Sequence, residues 1–330
     1  MLALVNASWI TQAASVAVQL RLPELLADGA LSAEALARQA QCHEPSLLRL
    51  LRALSSLELL TQHPDGAFAL TATGKMLRSD VTGSLASWTV FCGTSSWTTW
   101  SRLIESVRSG QSVRKQTRGV DGFEHLEEDS NAALLFNRAM VDLTQPIAAR
   151  IAQVVDFTGV NRIVDVGGGV GALLITILSA NPGMRGVLFD LSHAKQLADE
   201  RFAASGVVER CEFVAGSFFE RVPNGADAYL LKSVLHDWDD AHSAQILRNC
   251  QVAMAANARL LVIERLAPEH YSSSPRDQGI ARADLNMLVG TGGRERTEAE
   301  YRAMLESAGF RVTRLIALPD GFSVMDAIPA

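Results

Sequence analysis

Three sets of residues have the types and spacing that chemistry requires. In the first, the apolar β-branched residues 163–166 enclose Asp165 and run into Gly167, Gly168, Gly169 and Gly171, after which Leu173, Leu174, Ile177 and Leu178 recur at helical spacing. That order reads strand, glycine turn, helix, the opening half of a βαβ unit that binds a nucleoside. A second short strand, 186–189, ends in Asp190, a carboxylate placed for ribose hydroxyls. The second set is LKSVLHDWDD, where a strand runs straight into His236. Histidine is the side chain able to take a proton near neutrality, which general-base chemistry at the mouth of a sheet needs. The third is a pair of carboxylates, Glu264 at the end of another strand and Glu295 in GGRERT, either of which could hold the imidazole or an acceptor.

The glycine spacing narrows the ligand. A dinucleotide fingerprint needs G-x-G-x-x-G, whereas Gly167, Gly169 and Gly171 give G-x-G-x-G, and no phosphate-binding lysine follows as in a P-loop. With Asp165 just before the turn, the stretch resembles the D-x-G-x-G-x-G motif with which class I methyltransferases wrap S-adenosylmethionine. The bland alternative is a glycine-rich turn in any α/β protein. For His236 it is a surface histidine beside an acidic helix cap. His236, Asp237, Asp239, Asp240 and His242 follow one another too closely, partly on a helix start, to make a convincing metal site, and no metal is expected.

These residues need a sheet to position them. Residues 186–189, 211–214, 228–234 and 259–263 form strands that alternate with helices beginning near Leu197, Asp240 and Thr297, a pattern that predicts a parallel sheet covered on both faces. Residues 311–318 and 322–328, joined by Pro319-Asp320-Gly321, add an antiparallel pair at the end. Ligands in such sheets bind beyond the carboxyl ends of the strands, which singles out Asp165, Gly167, Asp190, Ser217, Phe218, residues 232–236 and Glu264.

The first 110 residues have another character. Residues 1–26 are helical and almost uncharged, with Trp9, Ile10 and Val16 on more than one face, so a second subunit is expected to cover them. Three helical segments, 22–26, 32–40 and 45–57, precede a hairpin turned by Asp65-Gly66, which makes a winged helix. Its basic residues, Arg21, Arg38, Arg49, Arg52, Lys75 and Arg78, are outnumbered by acidic ones, so a dimerisation role is preferred to DNA binding. The aromatic run SLASWTVFCGTSSWTTWSRLIESV holds Trp88, Phe91, Trp97 and Trp100, as core or as the lining of a pocket for a flat ligand. After the polar stretch 110–118, a long helix over 131–155 carries Asn137, Met140 and Thr144 on one side. The domain expectation is 1–110 and 111–330.

A chain of 330 residues with 48% hydrophobic and 20% charged residues has room for two cores, and a net charge of -6 argues against general affinity for nucleic acid or anionic membrane. The apolar start lacks a basic n-region and is interrupted by polar residues, so it reads as an amphipathic or buried helix rather than a signal peptide. Cys42, Cys92, Cys211 and Cys250 form no C-x-x-C pair, and a reduced cytoplasm fits them.

Taken together, VDVGGGVG, GSFFERVP, LLKSVLHDWDD, LLVIERLAPE and DLNMLVGTGGRERT, with the winged-helix start, give a chain that resembles the plant caffeate and flavonoid type of small-molecule O-methyltransferases and their bacterial relatives acting on phenazines, polyketides and carotenoid alcohols. The resemblance covers nearly the whole length. It implies a Rossmann-like class I methyltransferase sheet of the α/β class behind a mainly α winged-helix dimerisation domain, and a cytoplasmic homodimer. It implies that Met140, Thr144, Gly167, Asp190, Leu191, Ser217, Phe218 and Lys232 contact S-adenosylmethionine, that His236 is the general base flanked by Glu264 and Glu295, and that Trp88, Phe91, Trp97, Asn137, Asn286 and Met287 line the pocket of a small aromatic hydroxylated acceptor. One departure is Ser217, where many relatives carry Asp; a serine can accept from the adenine amino group only without charge assistance. Two other readings are kept: a family member that uses the cofactor for decarboxylation, hydroxylation or rearrangement, and a winged-helix ligand-sensing regulator.

Overall fold

The computed structural model describes residues 1–330, apart from the side chain of Asp320. The chain divides into two units, one of Met1–Thr98 with Leu134–Leu143, the other of Thr99–Ala133 with Thr144–Ala330.

In the first unit the expected opening helix is broken into Leu2–Val5 and Ala7–Gln19, and Arg21, at φ +56°, starts the short helix Leu22–Leu25. Helices Ala33–Gln39 and Glu44–Ser56 follow, then an antiparallel hairpin of β1 (Leu60–Gln62) and β2 (Phe68–Leu70). Ser32 caps its helix by accepting from Ala35 N at 3.2 Å. Asp65 turns the hairpin by accepting from Ala67 N at 3.0 Å. Leu36, Leu47, Leu51, Leu54 and Phe68 close the core between helices and hairpin. Helix Ala7–Gln19 packs on helix Ala86–Gly93, where the absence of a side chain at Gly93 lets Ser15 approach its backbone. The opposite side stays open: Trp9 is 68% exposed, with Leu2, Leu4, Val5 and Ile10 around it.

The second unit is built on a sheet of β3 (Arg162–Val166), β4 (Arg185–Asp190), β5 (Cys211–Ala215), β6 (Ala228–Lys232), β7 (Arg259–Ala267), the two-residue β8 (Arg296–Thr297), β9 (Phe310–Ala317) and β10 (Phe322–Pro329). The order is β5-β4-β3-β6-β7-β10-β9, with β8 against the end of β7. Strands β3 to β7 run parallel, while β10 lies antiparallel between β7 and β9. The chain winds outward from β3 to β5 and returns at β6, so the topological switch lies between β3 and β6, where a ligand crevice is expected. Strands buried on both faces need continuous apolar runs, and Val164, Val166, Leu230, Leu231, Leu260, Val262 and Ile263 supply them.

Strand β6 stops two residues short of the expected end because Ser233 takes φ +53°. A helix absent from the sequence reading, Pro275–Gly290, carries Asn286 and Met287; charged residues interrupt its apolar positions, although Ser274 caps it and Pro275 starts it. The long helix is present as Ser130–Val154, capped by Asp129, which accepts from Asn131 N and Ala132 N at 3.0 Å each. No helix among the described residues is long and apolar enough to cross a membrane.

Candidate active site

The glycine turn leaves β3 and packs on the end of β6. A Cβ on Gly167, at φ +69°, would lie 2.9 Å from Val234 Cγ2, whereas nothing lies within 4 Å of one built on Gly169. The turn is thus closed against the protein and open on the side where a ligand would lie. Asp190, ending β4, accepts from Gly169 N at 2.6 Å and from Leu191 N at 2.7 Å, which ties the second strand end to the turn. Burial raises the Asp190 carboxyl against those two donors. Asp165 is fully buried behind the turn, its Oδ2 without a hydrogen-bond partner, and burial reinforced by Asp190 pushes it up to about 7. An open glycine wall beside the Asp190 carboxyl fits a ligand that carries a ribose.

Lys232, the last residue of β6, donates to Thr144 Oγ1 at 3.0 Å, and burial, offset in part by Glu264, lowers its ammonium to about 8. Ser217 follows β5 and accepts weakly from Phe219 N at 3.3 Å. Phe218 meets Phe219 and Trp238 edge to face, with centroids 4.9 Å and 6.0 Å away.

His236 sits one turn beyond Ser233, on the short 3-10 turn Leu235–Asp237. Its Nδ1 lies 3.1 Å from Glu295 Oε1 and 3.7 Å from Glu264 Oε2, and its Nε2 is 3.9 Å from Asp237 Oδ1. Glu264, at 0% exposure, uses its other oxygen to accept from Val234 N at 3.0 Å and Leu235 N at 2.9 Å. One carboxylate therefore holds both the backbone before the histidine and the space beside its ring. Glu295 is oriented through its own backbone, which donates to Asp284 Oδ1 at 2.9 Å. Burial works against charge on the imidazole, but Glu264, then Glu295 and Asp237, outweigh it and raise His236 to about 10. Burial lifts Glu264 in the opposite sense, toward its neutral acid, to about 7. Both shifts express one condition: a dry pocket with three carboxylates gathered round one imidazole holds on to protons.

Asn286 Oδ1 accepts from Trp100 Nε1 at 2.8 Å, and Met287 is buried one residue on. Trp88, Phe91, Trp97, Asn137 and Met140 belong to the first unit, where Trp88 and Phe91 stack with centroids 5.6 Å apart and Asp142 accepts from Trp88 N at 2.9 Å. Among the described residues, no three His, Cys, Asp or Glu side chains are grouped to hold a metal ion. Sequence reasoning missed Asp284, which orients Glu295, and Arg296 beside it. Neither has a signal in one sequence beyond lying near Glu295.

Residues 100–311 match the family model of the O-methyltransferase domain, and residues 2–80 match the O-methyltransferase dimerisation domain. The chain belongs to the O-methyltransferase family. This O-methyltransferase is 34% identical over 329 residues to the phenazine O-methyltransferase PhzM of Lysobacter antibioticus, covering 100% of this chain and 95% of that one. It is 39% identical over 320 residues to the mitomycin biosynthesis 6-O-methyltransferase of Streptomyces lavendulae, covering 96% and 90%. It superposes with a TM-score of 0.80, at 31% identity over 97% of this chain and 96% of the other, on the O-methyltransferase NcsB1 from neocarzinostatin biosynthesis, solved with S-adenosylmethionine and 2-hydroxy-5-methyl naphthoic acid. The cofactor of this O-methyltransferase is S-adenosylmethionine, and through its dimerisation domain it pairs with a second copy of itself.

Proposed function

We propose that this O-methyltransferase methylates a hydroxyl of a small aromatic secondary metabolite and that His236 takes the hydroxyl proton. The observation that carries the role of His236 is the contact of its Nδ1 with Glu295 at 3.1 Å, with Glu264 on the same nitrogen. A ring tied at Nδ1 to carboxylates turns Nε2 toward its task and is stabilised once it becomes imidazolium. Glu264, Glu295 and Asp237 raise His236 against the effect of burial, so the imidazolium formed on taking the proton is stabilised. The substrate class rests on the relatives, which the names and complex above assign to phenazine, mitomycin and naphthoate chemistry.

Bound S-adenosylmethionine supplies an electrophilic methyl group on a sulfonium. Gly167 would shape the turn that cradles it while Gly169 leaves one side of the turn open, Asp190 and Leu191 would face its ribose, Ser217 and Phe218 its adenine, and Lys232, Thr144 and Met140 would complete its contacts. Asn286, its amide fixed by Trp100, and Met287 are assigned to the acceptor. Residues 1–110 are assigned to dimerisation and 111–330 to cofactor binding. The free cysteines support a cytoplasmic setting.

The test is incubation with methyl-labelled S-adenosylmethionine and a panel of hydroxylated naphthoates, phenazines and quinones, each beside its amino counterpart. A labelled methyl ether supports the reading. Label on nitrogen alone, or an acceptor that loses carboxylate or gains oxygen without label, overturns it.

A further inference from the structure

The turn that carries His236 is held only in part by its own hydrogen bonds. Asp237 N reaches Val234 O at 3.1 Å and Trp238 N reaches Leu235 O at 3.3 Å, and the turn is entered through the left-handed Ser233. It is also held from outside. Before the histidine, Val234 N and Leu235 N donate to Glu264. Arg296 Nη1 donates to Leu235 O at 2.9 Å and Nη2 to Trp238 O at 2.7 Å, so one guanidinium bridges the carbonyls on either side of His236, which Ser243 Oγ also reaches, at 3.1 Å and 3.4 Å. The guanidinium is itself fixed by Asp240 Oδ1, which accepts from Nε at 3.0 Å and from Nη2 at 2.8 Å, and it lies 5.9 Å from the Tyr301 ring centroid. Arg296 is fully buried, and nothing so costly to bury would sit here without several acceptors. A Cβ on Gly293 would collide with the backbone of His236, Asp237 and Trp238, so the strand entry that carries Glu295 and Arg296 lies flush against the turn.

We propose that Arg296 is a positioning residue for methyl transfer: its guanidinium sets the backbone of the His236 turn while the adjacent Glu295 sets the ring. The inference rests on His236 being the base. Two neighbouring residues, Glu295 at the entry of β8 and Arg296 as its first residue, thus fix the base in both orientation and position, and β8 is anchored through Leu266 to β7, which carries Glu264. Arginine is required because its planar fork reaches two carbonyls and a carboxylate together, whereas a lysine ammonium is a single point.

The test compares Arg296→Lys in the wild type and in His236→Ala, following kcat, KM for the acceptor and calorimetric affinity for S-adenosylmethionine. With the base present, Arg296→Lys is expected to lower kcat about tenfold to a hundredfold, because an ångström of misplacement has that effect, while cofactor affinity stays within about twofold. In His236→Ala the same change should alter kcat by no more than about twofold, since the base it positions is gone. The acid limb of kcat/KM should also move to lower pH as Glu295 loses its hold on the ring. Equal losses in both backgrounds, or a parallel loss of cofactor affinity, overturn the proposal in favour of a purely structural arginine. If Arg296→Lys does not fold, Asp240→Asn releases the guanidinium from a side chain that is 64% exposed, and the same comparison decides: a several-fold loss confined to the His236 background supports the proposal, a uniform loss or none overturns it. Should His236→Ala itself keep near-normal kcat, the assignment of the base fails, whatever Arg296 does.

Discussion

His236 Nδ1 and Glu295 Oε1 lie 3.1 Å apart in a buried pocket, although the residues are fifty-nine positions apart in the chain. The contact joins the loop after β6 to the entry of β8, so the orientation of the ring depends on two separate connections leaving the sheet. Replacing the ring leaves the carboxylates in place with no base between them. His236→Ala is expected to lose about a hundred- to ten-thousand-fold in kcat and to bind S-adenosylmethionine normally by calorimetry. Its residual rate should rise with pH as the acceptor ionises unaided, and EDTA should leave the wild type unaffected. Near-normal kcat in the variant, or loss of turnover on chelation, would contradict this.

The pH profile follows from the same cluster. A base works unprotonated, and burial is outweighed at His236 by Glu264, Glu295 and Asp237, which raise it to about 10. Activity measured as kcat/KM for the acceptor should therefore climb through the alkaline range rather than level off near neutrality. Glu295→Gln removes one of the charges that raise the imidazole, so its limb should move to lower pH while its maximal rate falls. An unmoved limb would mean that another group controls it.

Asp190 has two tasks. It accepts from Gly169 N and Leu191 N and is assigned to the ribose. Loss of charge-assisted hydrogen bonds there costs roughly 2 to 3 kcal/mol, so Asp190→Ala should weaken S-adenosylmethionine by about thirty-fold or more. Unchanged affinity by calorimetry, or tight binding of NAD by the wild type, would remove the assignment.

The first helices offer the simplest test of assembly. Met1, Leu2, Leu4, Val5, Trp9 and Ile10 are exposed in the isolated chain, more apolar surface than a monomer ordinarily shows. Deleting residues 1–20 should give monomers or aggregates without activity by light scattering and assay. A soluble, active dimer lacking them would show that other surfaces hold the pair together.

The sheet was legible in one sequence because its strands are continuous apolar runs and its turn is built from glycines whose spacing has few other uses. Strand ends were less so: Ser233 ends β6 through a left-handed backbone that neither of its neighbours announces. Helix Pro275–Gly290 escaped because Gly279 and the charged Arg276, Asp277, Arg282 and Asp284 interrupt its apolar residues, although the buried Asp277, Ile280 and Met287 do follow helical spacing. The surroundings of His236 were legible in part. Glu264 could be named as a carboxylate at a strand end and Glu295 as one in GGRERT, but Arg296 reads as one more surface arginine beside a capping Thr297, and only folding shows it fully buried. Side chains that act by holding backbone carbonyls leave no spacing to recognise, because their partners are peptide groups that every residue has.

The position of β10 has a consequence for how the enzyme is made. It is the last described strand to be synthesised, yet it belongs inside the sheet, where Ser323 pairs with Glu264 on β7. Until it emerges from the ribosome, the nascent chain presents β7 as an open edge, apolar and unpaired, in the segment that will carry the carboxylate beside the base. The sheet that backs the catalytic pocket is therefore completed only once β10 has paired with β7, and a translation product cut short before Phe322 is a sticky intermediate rather than a smaller enzyme.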